Sequence, residues 1–470
     1  MKSLDYDVGI VGGGFSGLYA AHRILKKHPH YKIAIFEKSS RLGGRIFTAK
    51  HGNHTLEYGP MRFELDLQPR LAALLEELQI QTRPFSGYSA PFDIEPNYNK
   101  LNIDEIAAII NNKGKLPPSF ALFKHAFCKI LGDQWDLETD NVNDKDRILK
   151  KQWIRNNGMF QGRLLHNHGL WDTLAHVLSK SAIDFIRENG SFYHMIHSNP
   201  NAANQMLFIM DMLATQEKGL VTIDGGSSQL ISTLANGTRD KVKMFSGAEV
   251  TDVNDNGFVV KAQQEILCDH MLFTCPKNAL ERIRGFPADV YPLLDSVLVV
   301  DLYKIFIIIE NPPWTKETVP RPNTNVGLLP CREVHYGYDA ETQTGMVMLY
   351  GDDPTLRYWS AFCLHGKIEV PEEMNNNHML NHLYHYLHML YPNEKHKMRI
   401  KTYTIMDWSR KPFESGVHIW RPGYKSDDII NKLKCFGEKQ NMHICGETYS
   451  NYQGFIEGCI LSVDNVVSAL

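Results

Sequence analysis

The sequence predicts an α/β protein built from a parallel-sheet domain, a mixed-sheet domain and a helical insertion. Three observations support this fold class. An apolar run at Val8–Val11 leads through closely spaced glycines into a helical pattern, the segment 296–310 is rich in strand-forming residues, and the segment 101–220 has helical periodicity. Because 470 residues are too many for one hydrophobic core, more than one domain is expected.

The N-terminal glycines have the spacing of a dinucleotide-binding turn. Gly12, Gly14 and Gly17 form a G-x-G-x-x-G pattern, which allows a tight turn, a close approach to a pyrophosphate and close packing of the following helix. The start of that helix offers free N–H groups and a positive dipole end to phosphates. A second apolar strand, Ile33–Phe36, ends in Glu37, where an acid can accept hydrogen bonds from a ribose. This order of elements predicts a Rossmann-like nucleotide-binding domain.

Composition and charge restrict the class of protein further. The hydrophobic fraction of 43% is typical of a globular protein, and the net charge of −3 argues against nucleic acid as a partner. The eight cysteines are scattered, with no C-x-x-C pair, which indicates neither a zinc site nor a disulfide framework and favours a reducing compartment. The most apolar run, Val297–Ile309, is too short to span a membrane, and no signal peptide precedes the first strand. We therefore expect a cytoplasmic protein without a membrane partner.

A second motif follows Glu37 directly. The run from Lys38 to Arg45 reads Lys-Ser-Ser-Arg-Leu-Gly-Gly-Arg, so a Gly-Gly pair permits close backbone approach and Arg45 can pair with a phosphate. A nicotinamide-binding domain has no need of this stretch. It resembles the second FAD motif of the flavin amine oxidase superfamily, and the resemblance recurs in family order through the C-terminus. The resemblance implies an FAD enzyme.

The segment Gly59–Arg62 reads Gly-Pro-Met-Arg and resembles a segment of L-amino-acid oxidases that runs beside the flavin. The resemblance implies that Arg62 binds a substrate carboxylate and that the hydroxyl of Tyr350 shares this role. The alternatives are an interdomain or surface ion pair for Arg62 and an ordinary core tyrosine for Tyr350. Amine and polyamine oxidases lack this arginine role, so Arg62 divides the candidate substrates most sharply.

Lys304 interrupts the most apolar segment of the chain. An uncompensated lysine costs several kcal/mol if it is buried, so a buried Lys304 needs partners. The family resemblance implies that this lysine holds a water beside flavin N5 and assists the reaction with oxygen. The alternative is a lysine that points to solvent from an edge strand.

The remaining family motifs lie in the second half of the chain. Val250 stands where the family backbone contacts the adenine, and a strand delivers Glu447 to the sugar or ribityl hydroxyls. The segment Gly454–Ile456 opens the final helix, whose N–H groups would face the flavin N1/O2 edge. Trp408 begins a segment near the active site in which no cysteine occurs up to Gly416, so the resemblance implies non-covalent FAD.

The predicted site and domains can now be stated in full. Catalytic roles are expected for Lys304, Arg62 and Tyr350, and substrate binding for Arg62, Tyr350, Tyr452 and Trp408. The residues expected to bind the cofactor are Gly12, Gly14, Ser16, Gly17, Glu37, Lys38, Gly44, Arg45, Gly59, Pro60, Met61, Arg62, Val250, Trp408, Gly446, Glu447, Gly454, Phe455 and Ile456. The predicted domains are an FAD-binding domain (1–64, 222–298 and 436–470), a substrate domain (65–100 and 299–435) and a helical domain (101–221).

These features predict an FAD-dependent L-amino-acid oxidase. Such an enzyme converts its substrate to the 2-imino and then the 2-oxo acid and reduces O2 to hydrogen peroxide. The closing segment Gly454–Gly458 and Tyr358-Trp359 resemble family members that act on aromatic amino acids, and this resemblance implies an aromatic substrate such as L-tryptophan. A small-molecule amino acid and O2 are the expected partners, and a homodimer is left open. The histidines of 378–388 are expected to form a solvated helix face, with no metal site.

Two alternatives to this function are kept. The first is a polyamine or monoamine oxidase, in which Arg62 has a structural role. The second comes from another class: Rab GDP-dissociation inhibitors resemble this fold and bind proteins without flavin chemistry, although Arg45 and the Gly454–Gly458 motif argue against that assignment.

Overall fold

The computed structural model of the protein describes residues 4–85, 88–89, 98–135, 141–189, 198–215, 219–260, 264–315, 333–353, 355–362, 371–373, 377–394 and 396–470. Its strands are β1 (Tyr6–Val11), β2 (Ile33–Glu37), β3 (Thr48–His51), β4 (His54–Glu57), β5 (Thr82–Pro84), β6 (Tyr88–Ser89), β7 (Met159–Phe160), β8 (Arg163–Leu164), β9 (Val221–Ile223), β10 (Val242–Ser246), β11 (Val250–Asn254), β12 (Gly257–Val260), β13 (Gln264–Phe273), β14 (Val297–Val300), β15 (Leu302–Glu310), β16 (Glu333–Asp339), β17 (Thr344–Asp352), β18 (Glu372–Glu373), β19 (Arg399–Asp407), β20 (Val417–Trp420) and β21 (Met442–Ile444).

The α-helices of the described residues are α1 (Phe15–Lys27), α2 (Pro69–Glu77), α3 (Ile103–Asn111), α4 (Pro118–Leu131), α5 (Lys145–Asn157), α6 (Leu170–Ala175), α7 (Lys180–Asn189), α8 (Ala202–Thr215), α9 (Ser228–Thr238), α10 (Lys277–Leu280), α11 (Val290–Leu294), α12 (Thr355–Ser360), α13 (Asn377–Leu390), α14 (Ser426–Lys434) and α15 (Ile456–Val467). Short 3-10 turns lie at Tyr98–Lys100, Gly132–Gln134 and Leu165–Asn167.

The first large sheet collects strands from three distant parts of the chain. Its order is β10-β2-β1-β13-β12-β11, and β21 pairs with β13. The strands β10, β2, β1, β13 and β21 pair with one another in parallel, whereas β12 pairs antiparallel with both β13 and β11. Parallel strands need covering on both faces, which explains why β1 and β2 are nearly continuous apolar runs. This sheet is the predicted Rossmann-like unit.

Helices α1 and α15 cover one face of this sheet. The fully buried side chains of Leu18 and Ile24 in α1 share one core with Ile10 of β1 and with Ile460 and Val463 of α15. Each such side chain contributes about 1.5–3 kcal/mol on burial. The final helix is therefore part of the nucleotide-binding fold, although it begins 445 residues after the first strand ends.

The second large sheet is mixed and carries the centre of the chain. Its order is β18-β19-β15-β17-β16-β6. Strand β15 pairs along its length with β17 on one side and with β19 on the other. It is therefore an interior strand, which excludes the alternative that Lys304 points to solvent from a sheet edge.

Helices α3 to α8 form a cluster around their own apolar core. The core contains four fully buried side chains, Leu122, Phe123, Leu170 and Met206. The observed elements confirm the predicted fold class, a mixed α/β protein with a helical insertion. The exact domain boundaries stay a prediction. No helix in the described part of the chain is both long and apolar enough to cross a membrane.

Candidate active site

The glycine-rich turn forms a cradle without side chains. Gly12 has φ +110°, and a Cβ placed there would lie 2.6 Å from Thr274 Oγ1. Gly14 lies against the second motif, because a Cβ on Gly44 would stand 3.2 Å from the Gly14 Cα. Helix α1 begins directly afterwards with no acidic residue in its first turn and no side chain capping it. Its free N–H groups and dipole therefore suit a pyrophosphate.

Gly17 has the packing role that its spacing predicts. A Cβ at this position would lie 2.0 Å from the Gly12 carbonyl oxygen. We expect Gly17→Ala to displace α1 and to lower both cofactor content and thermal stability strongly, because backbone cannot yield as a side chain can. Gly237→Ala is the matched control: it also adds a methyl to a helical glycine, but nothing lies within 4 Å of it. Flavin absorbance measures the cofactor content of the two variants, and thermal melts measure their stability. Equal cofactor content and equal melting temperatures would contradict the packing role of Gly17.

Glu37 is fixed at the end of β2. Its Oε2 accepts a hydrogen bond from the Gly13 N–H at 2.7 Å, and its Oε1 accepts from the Ser39 N–H and Oγ, both at 2.7 Å. The neighbouring Lys38 pairs with Glu249 at 2.7 Å. The carboxylate that sequence spacing assigns to a ribose is thus held beside the glycine turn.

A cavity of about 290 Å³ extends from the glycine turn to the mixed sheet. Most of the predicted cofactor residues line it. Three of the five residues expected to be catalytic or to bind substrate also line it, namely Lys304, Tyr350 and Trp408. The predicted cofactor residues that line it are Gly12, Gly14, Ser16, Glu37, Lys38, Gly44, Arg45, Gly59, Pro60, Val250, Trp408, Glu447, Gly454, Phe455 and Ile456. The elongated lining, from ribose-binding acid to second sheet, fits a dinucleotide.

Four predicted cofactor residues are placed differently. Gly17 packs under the turn, and the Gly446 N–H donates to Ser462 Oγ at 3.1 Å. Met61 and Arg62 line a second cavity, which adjoins the first. Met61 and Arg62 therefore face the second cavity and not the first.

Glu447 lies at the centre of a buried polar network. Its Oε2 accepts from Arg45 Nη2 at 2.9 Å and from His418 Nδ1 at 3.0 Å, and its Oε1 accepts from the backbone N–H groups of His418 and Gly454 at 2.9 and 3.1 Å. Burial alone would raise the pKa of Glu447, but Arg45 and His418 hold it well below its usual range. The carboxylate is ionised, and Arg45 is held by protein groups on the cavity wall.

His418 is a site residue that sequence reasoning missed. It is 0% exposed, and burial lowers the pKa of its imidazole. Since Nδ1 donates to Glu447, Nε2 is the acceptor, and Ser415 Oγ lies 3.1 Å from it. A histidine inside an apolar strand was the only sequence signal. It holds Glu447 in place from the side opposite Arg45.

The second cavity, of about 420 Å³, meets the first along a shared wall. Lys304, Tyr350 and Gly59 line both cavities. Helix α8 supplies another wall with Phe208, and the segment before α15 supplies Tyr452. A molecule in the second cavity would therefore lie next to the same residues as the end of a cofactor in the first.

Three ionisable or polar side chains form one row across the mixed sheet. Lys304 pairs directly with Tyr350, and Tyr350 pairs directly with Glu333 on the next strand. Directly opposite residues of antiparallel strands project from the same face. The strand register therefore brings together residues that are 46 and 17 positions apart in the sequence.

Lys304 is buried and held by backbone. Its Nζ donates to the carbonyl oxygens of Glu57 and Gly59 at 2.9 and 2.5 Å, and it lies 4.9 Å from the centre of the Tyr350 ring. Burial lowers the pKa of Lys304 to about 7, with Glu57 opposing and Arg62 adding to the effect. The partners that a buried lysine requires are thus provided by the Gly-Pro-Met-Arg segment itself.

Arg62 lines the second cavity and forms an ion pair behind it. Its Nη2 donates to Glu333 Oε1 at 2.9 Å, and the side chain is 28% exposed. The sequence analysis named both a carboxylate-binding role and an ion pair for Arg62. The structure shows the ion pair, together with a position on the cavity wall.

The other two predicted substrate residues lie in different cavities. Tyr452 lines the second cavity between the rings of Phe208 and Phe455, whose centroids are 5.8 and 5.6 Å from its own. Its hydroxyl is buried and has no hydrogen-bond partner among the described residues. Trp408 lines the first cavity and donates from Nε1 to the Tyr58 carbonyl at 2.9 Å. Among these two residues, Tyr452 therefore lines only the second cavity and Trp408 only the first.

Comparison with known proteins agrees with this geometry. The family model of flavin-containing amine oxidoreductases matches residues 15–469. The chain therefore belongs to the flavin-containing amine oxidoreductase family, and its cofactor is FAD. This assignment favours an oxidoreductase over the alternative of a GDI-like protein-binding module.

Individual relatives are distant but cover nearly the whole chain. Achacin of Lissachatina fulica is 21% identical over 99% of this chain and 93% of its own length. An L-amino-acid oxidase of Crotalus adamanteus is 22% identical over 97% of this chain and 85% of its own length. The structure of putrescine oxidase bound to putrescine superposes with a TM-score of 0.69 at 15% identity, covering 99% of this chain and 98% of that one. This last likeness shows the fold.

Proposed function

We propose that this protein is an L-amino-acid oxidase. One observation carries the proposal: Arg62 and Tyr350 line one cavity together, and Lys304 and Tyr350 also line the adjoining cofactor cavity. A cation and a phenol beside the cofactor suit a carboxylate, the group that distinguishes an amino acid from a plain amine. The L-amino-acid oxidase among the relatives supports the same choice.

The roles of the residues follow from their positions. The substrate carboxylate binds to Arg62 and Tyr350, and this fixes the Cα–H toward the wall that the two cavities share. Orientation of this kind supplies a large part of a rate gain. FAD, when bound, would supply the two-electron chemistry that couples oxidation of the amino acid to reduction of O2. In sum, an amino acid, O2 and water give a 2-oxo acid, ammonia and hydrogen peroxide.

The part of the cavity beyond Arg62 suits a large aromatic side chain. Phe208, Tyr452 and Phe455 form a mutual aromatic cluster, and Phe208 and Phe455 lie 5.2 Å apart. Aromatic pairs add about 0.5–1.5 kcal/mol beyond their buried area. The buried amide oxygens of Gln68 and Asn204 line the same cavity without a partner among the described residues and can accept a hydrogen bond. An indole, with an aromatic face and one N–H donor, meets both requirements.

A peroxide assay tests this function. The purified holoenzyme is incubated with each of the twenty L-amino acids and with the corresponding decarboxylated amines. We expect peroxide from one or a few amino acids, with L-tryptophan among the best, and little from the matched amines. Preference for the amines would refute the proposed function.

A second candidate, an amine oxidase, is favoured by the ion pair of Arg62. Because Glu333 already pairs with this guanidinium, the pair has no net charge with which to attract a carboxylate. In such an enzyme Arg62 would be structural, and the aromatic cluster would bind the body of an amine. The comparison of amino acids with amines in the same assay separates the two candidates.

The oxygen reaction is expected to depend on pH near neutrality. The pKa of Lys304 is lowered to about 7, mainly by burial, so Nζ is charged below this pH and neutral above it. A charged ammonium near the site stabilises developing negative charge on oxygen. The rate of flavin reoxidation, followed by stopped flow, should therefore fall as pH rises through about 7. Lys304→Met should remove this pH dependence, and an unchanged profile in that variant would contradict the assignment.

A further inference from the structure

Glu333 pairs with Arg62 but is not itself among the described residues that line the second cavity. It begins strand β16, is directly opposite Tyr350, and is only 3% exposed. Among the described residues that line either cavity, Arg62 and Tyr350 appear but Glu333 does not. Its carboxylate can therefore act on a substrate only through a neighbour.

Both carboxylate oxygens of Glu333 are occupied. Arg62 Nη2 donates to Oε1 at 2.9 Å, and His335 Nε2 donates to Oε2 at 2.6 Å. Burial would raise the pKa of Glu333, but Arg62 and His335 lower it to about 2, so it is ionised across the physiological range. The carboxylate is thus fixed from two sides.

His335 is the fixed support of this arrangement. Burial lowers the pKa of its imidazole, which keeps it neutral, and its Nδ1 is buried without a hydrogen-bond partner in the described part of the chain. The proton therefore belongs on Nε2, where it is donated to Glu333. The Arg62 Nη1 lies 3.5 Å from that same nitrogen. With both atoms carrying protons, this contact is not a hydrogen bond, and in the described part of the chain Glu333 joins the arginine to the histidine.

We propose that Glu333 is a positioning residue that directs the Arg62 guanidinium into the substrate cavity and so determines the preference for substrates with a carboxylate. The proposal rests on the proposed function. A long arginine side chain has much rotamer freedom, and a carboxylate that holds one end of its planar guanidinium fixes the orientation of the whole group. Glu333 also offsets the repulsion between the two cations of the site, because it raises the pKa of Lys304 whereas Arg62 lowers it.

Two conservative variants separate position from charge. Glu333→Asp keeps the charge but withdraws the carboxylate by one methylene, and Glu333→Gln keeps the length and an acceptor oxygen but removes the charge. Each is measured on the best L-amino acid and on its decarboxylated amine. Benzoate, as a carboxylate probe, is titrated into each holoenzyme by the change in flavin absorbance, which reports binding without turnover.

If Glu333 positions Arg62, the aspartate variant weakens benzoate binding and kcat/KM for the amino acid by about tenfold or more, while the amine changes by less than about threefold. The glutamine variant should not weaken benzoate binding by more than about threefold, because it keeps an acceptor for Arg62 and removes a negative charge that opposes the carboxylate. In an Arg62→Ala background the aspartate substitution should add nothing further, because residues that act through one another are not additive.

The matched control is Asp339→Asn on the same strand. Asp339 is also buried, but its carboxylate accepts from Thr342 and Asn53 and it is not among the described cavity residues. The Asp339→Asn substitution should leave the ratio of kcat/KM for the amino acid to kcat/KM for the amine unchanged. The proposal would be overturned if Glu333→Asp lowered kcat/KM equally for the amino acid and the amine. It would also be overturned if Glu333→Gln lost as much benzoate affinity as Glu333→Asp. If the wild type itself prefers amines, the proposed function fails, and the benzoate titration still decides whether Glu333 positions Arg62.

Discussion

Arg62→Ala is expected to lower kcat/KM for the best L-amino acid by roughly 200- to 5,000-fold. Without the guanidinium, the substrate carboxylate enters a mostly apolar cavity without its cation, and breaking one partner of a desolvated pair costs on the order of 3–5 kcal/mol. The loss should be much smaller for the decarboxylated amine, which has no carboxylate to leave unpaired. Steady-state peroxide release on the two substrates gives both numbers.

Two further variants make this result interpretable. Removing Arg62 also leaves the buried Glu333 without its cation, so Arg62→Ala is compared with the double variant Arg62→Ala/Glu333→Gln, in which the charge is removed as well. Arg83→Ala is the control for a general loss of positive charge, because Arg83 is 48% exposed and pairs with Asp224. Near-normal kcat/KM for the amino acid in both Arg62 variants would refute a carboxylate-binding role.

Lys304→Met is expected to slow the reoxidation of the reduced flavin by roughly 100-fold, the cost typical of removing one preorganised electrostatic donor. Reduction of the flavin by substrate without oxygen should change far less, because Lys304 is bonded to the Glu57 and Gly59 carbonyls and not to Arg62. Methionine has a similar shape and removes a buried ionisable group, so the fold should be kept. Stopped-flow measurement of the two half-reactions separates these effects.

Lys277→Met is the matched control for Lys304. Lys277 is also buried, at 6% exposed, but it pairs with Asp295 at 2.9 Å and is not among the described residues that line either cavity. Its loss should lower thermal stability and leave the oxygen reaction unchanged. A Lys304 variant that reoxidises at the normal rate would remove Lys304 from the oxygen step.

The half of the site that binds the nucleotide could be predicted from the sequence, since its determinants are local. The spacing of Gly12, Gly14 and Gly17 fixes a turn within six residues, and the apolar strand before Glu37 fixes where the acid appears. The burial of Lys304 could also be predicted from the sequence, because its neighbours in the strand are apolar and such strands are usually buried. These features depend on spacing and periodicity, which a single sequence contains.

The tertiary structure alone decided which groups meet. Glu333 and Arg62 are 271 residues apart, and they pair because the register of β16 against β17 places Glu333 opposite Tyr350. His418 and Glu447, 29 residues apart, meet across separate segments in the same way. No local pattern encodes such contacts, because strand register depends on the packing of whole sheets. The sequence by itself therefore determined the cofactor class and singled out Arg62, whereas the carboxylate that pairs with Arg62 was visible only in the folded chain.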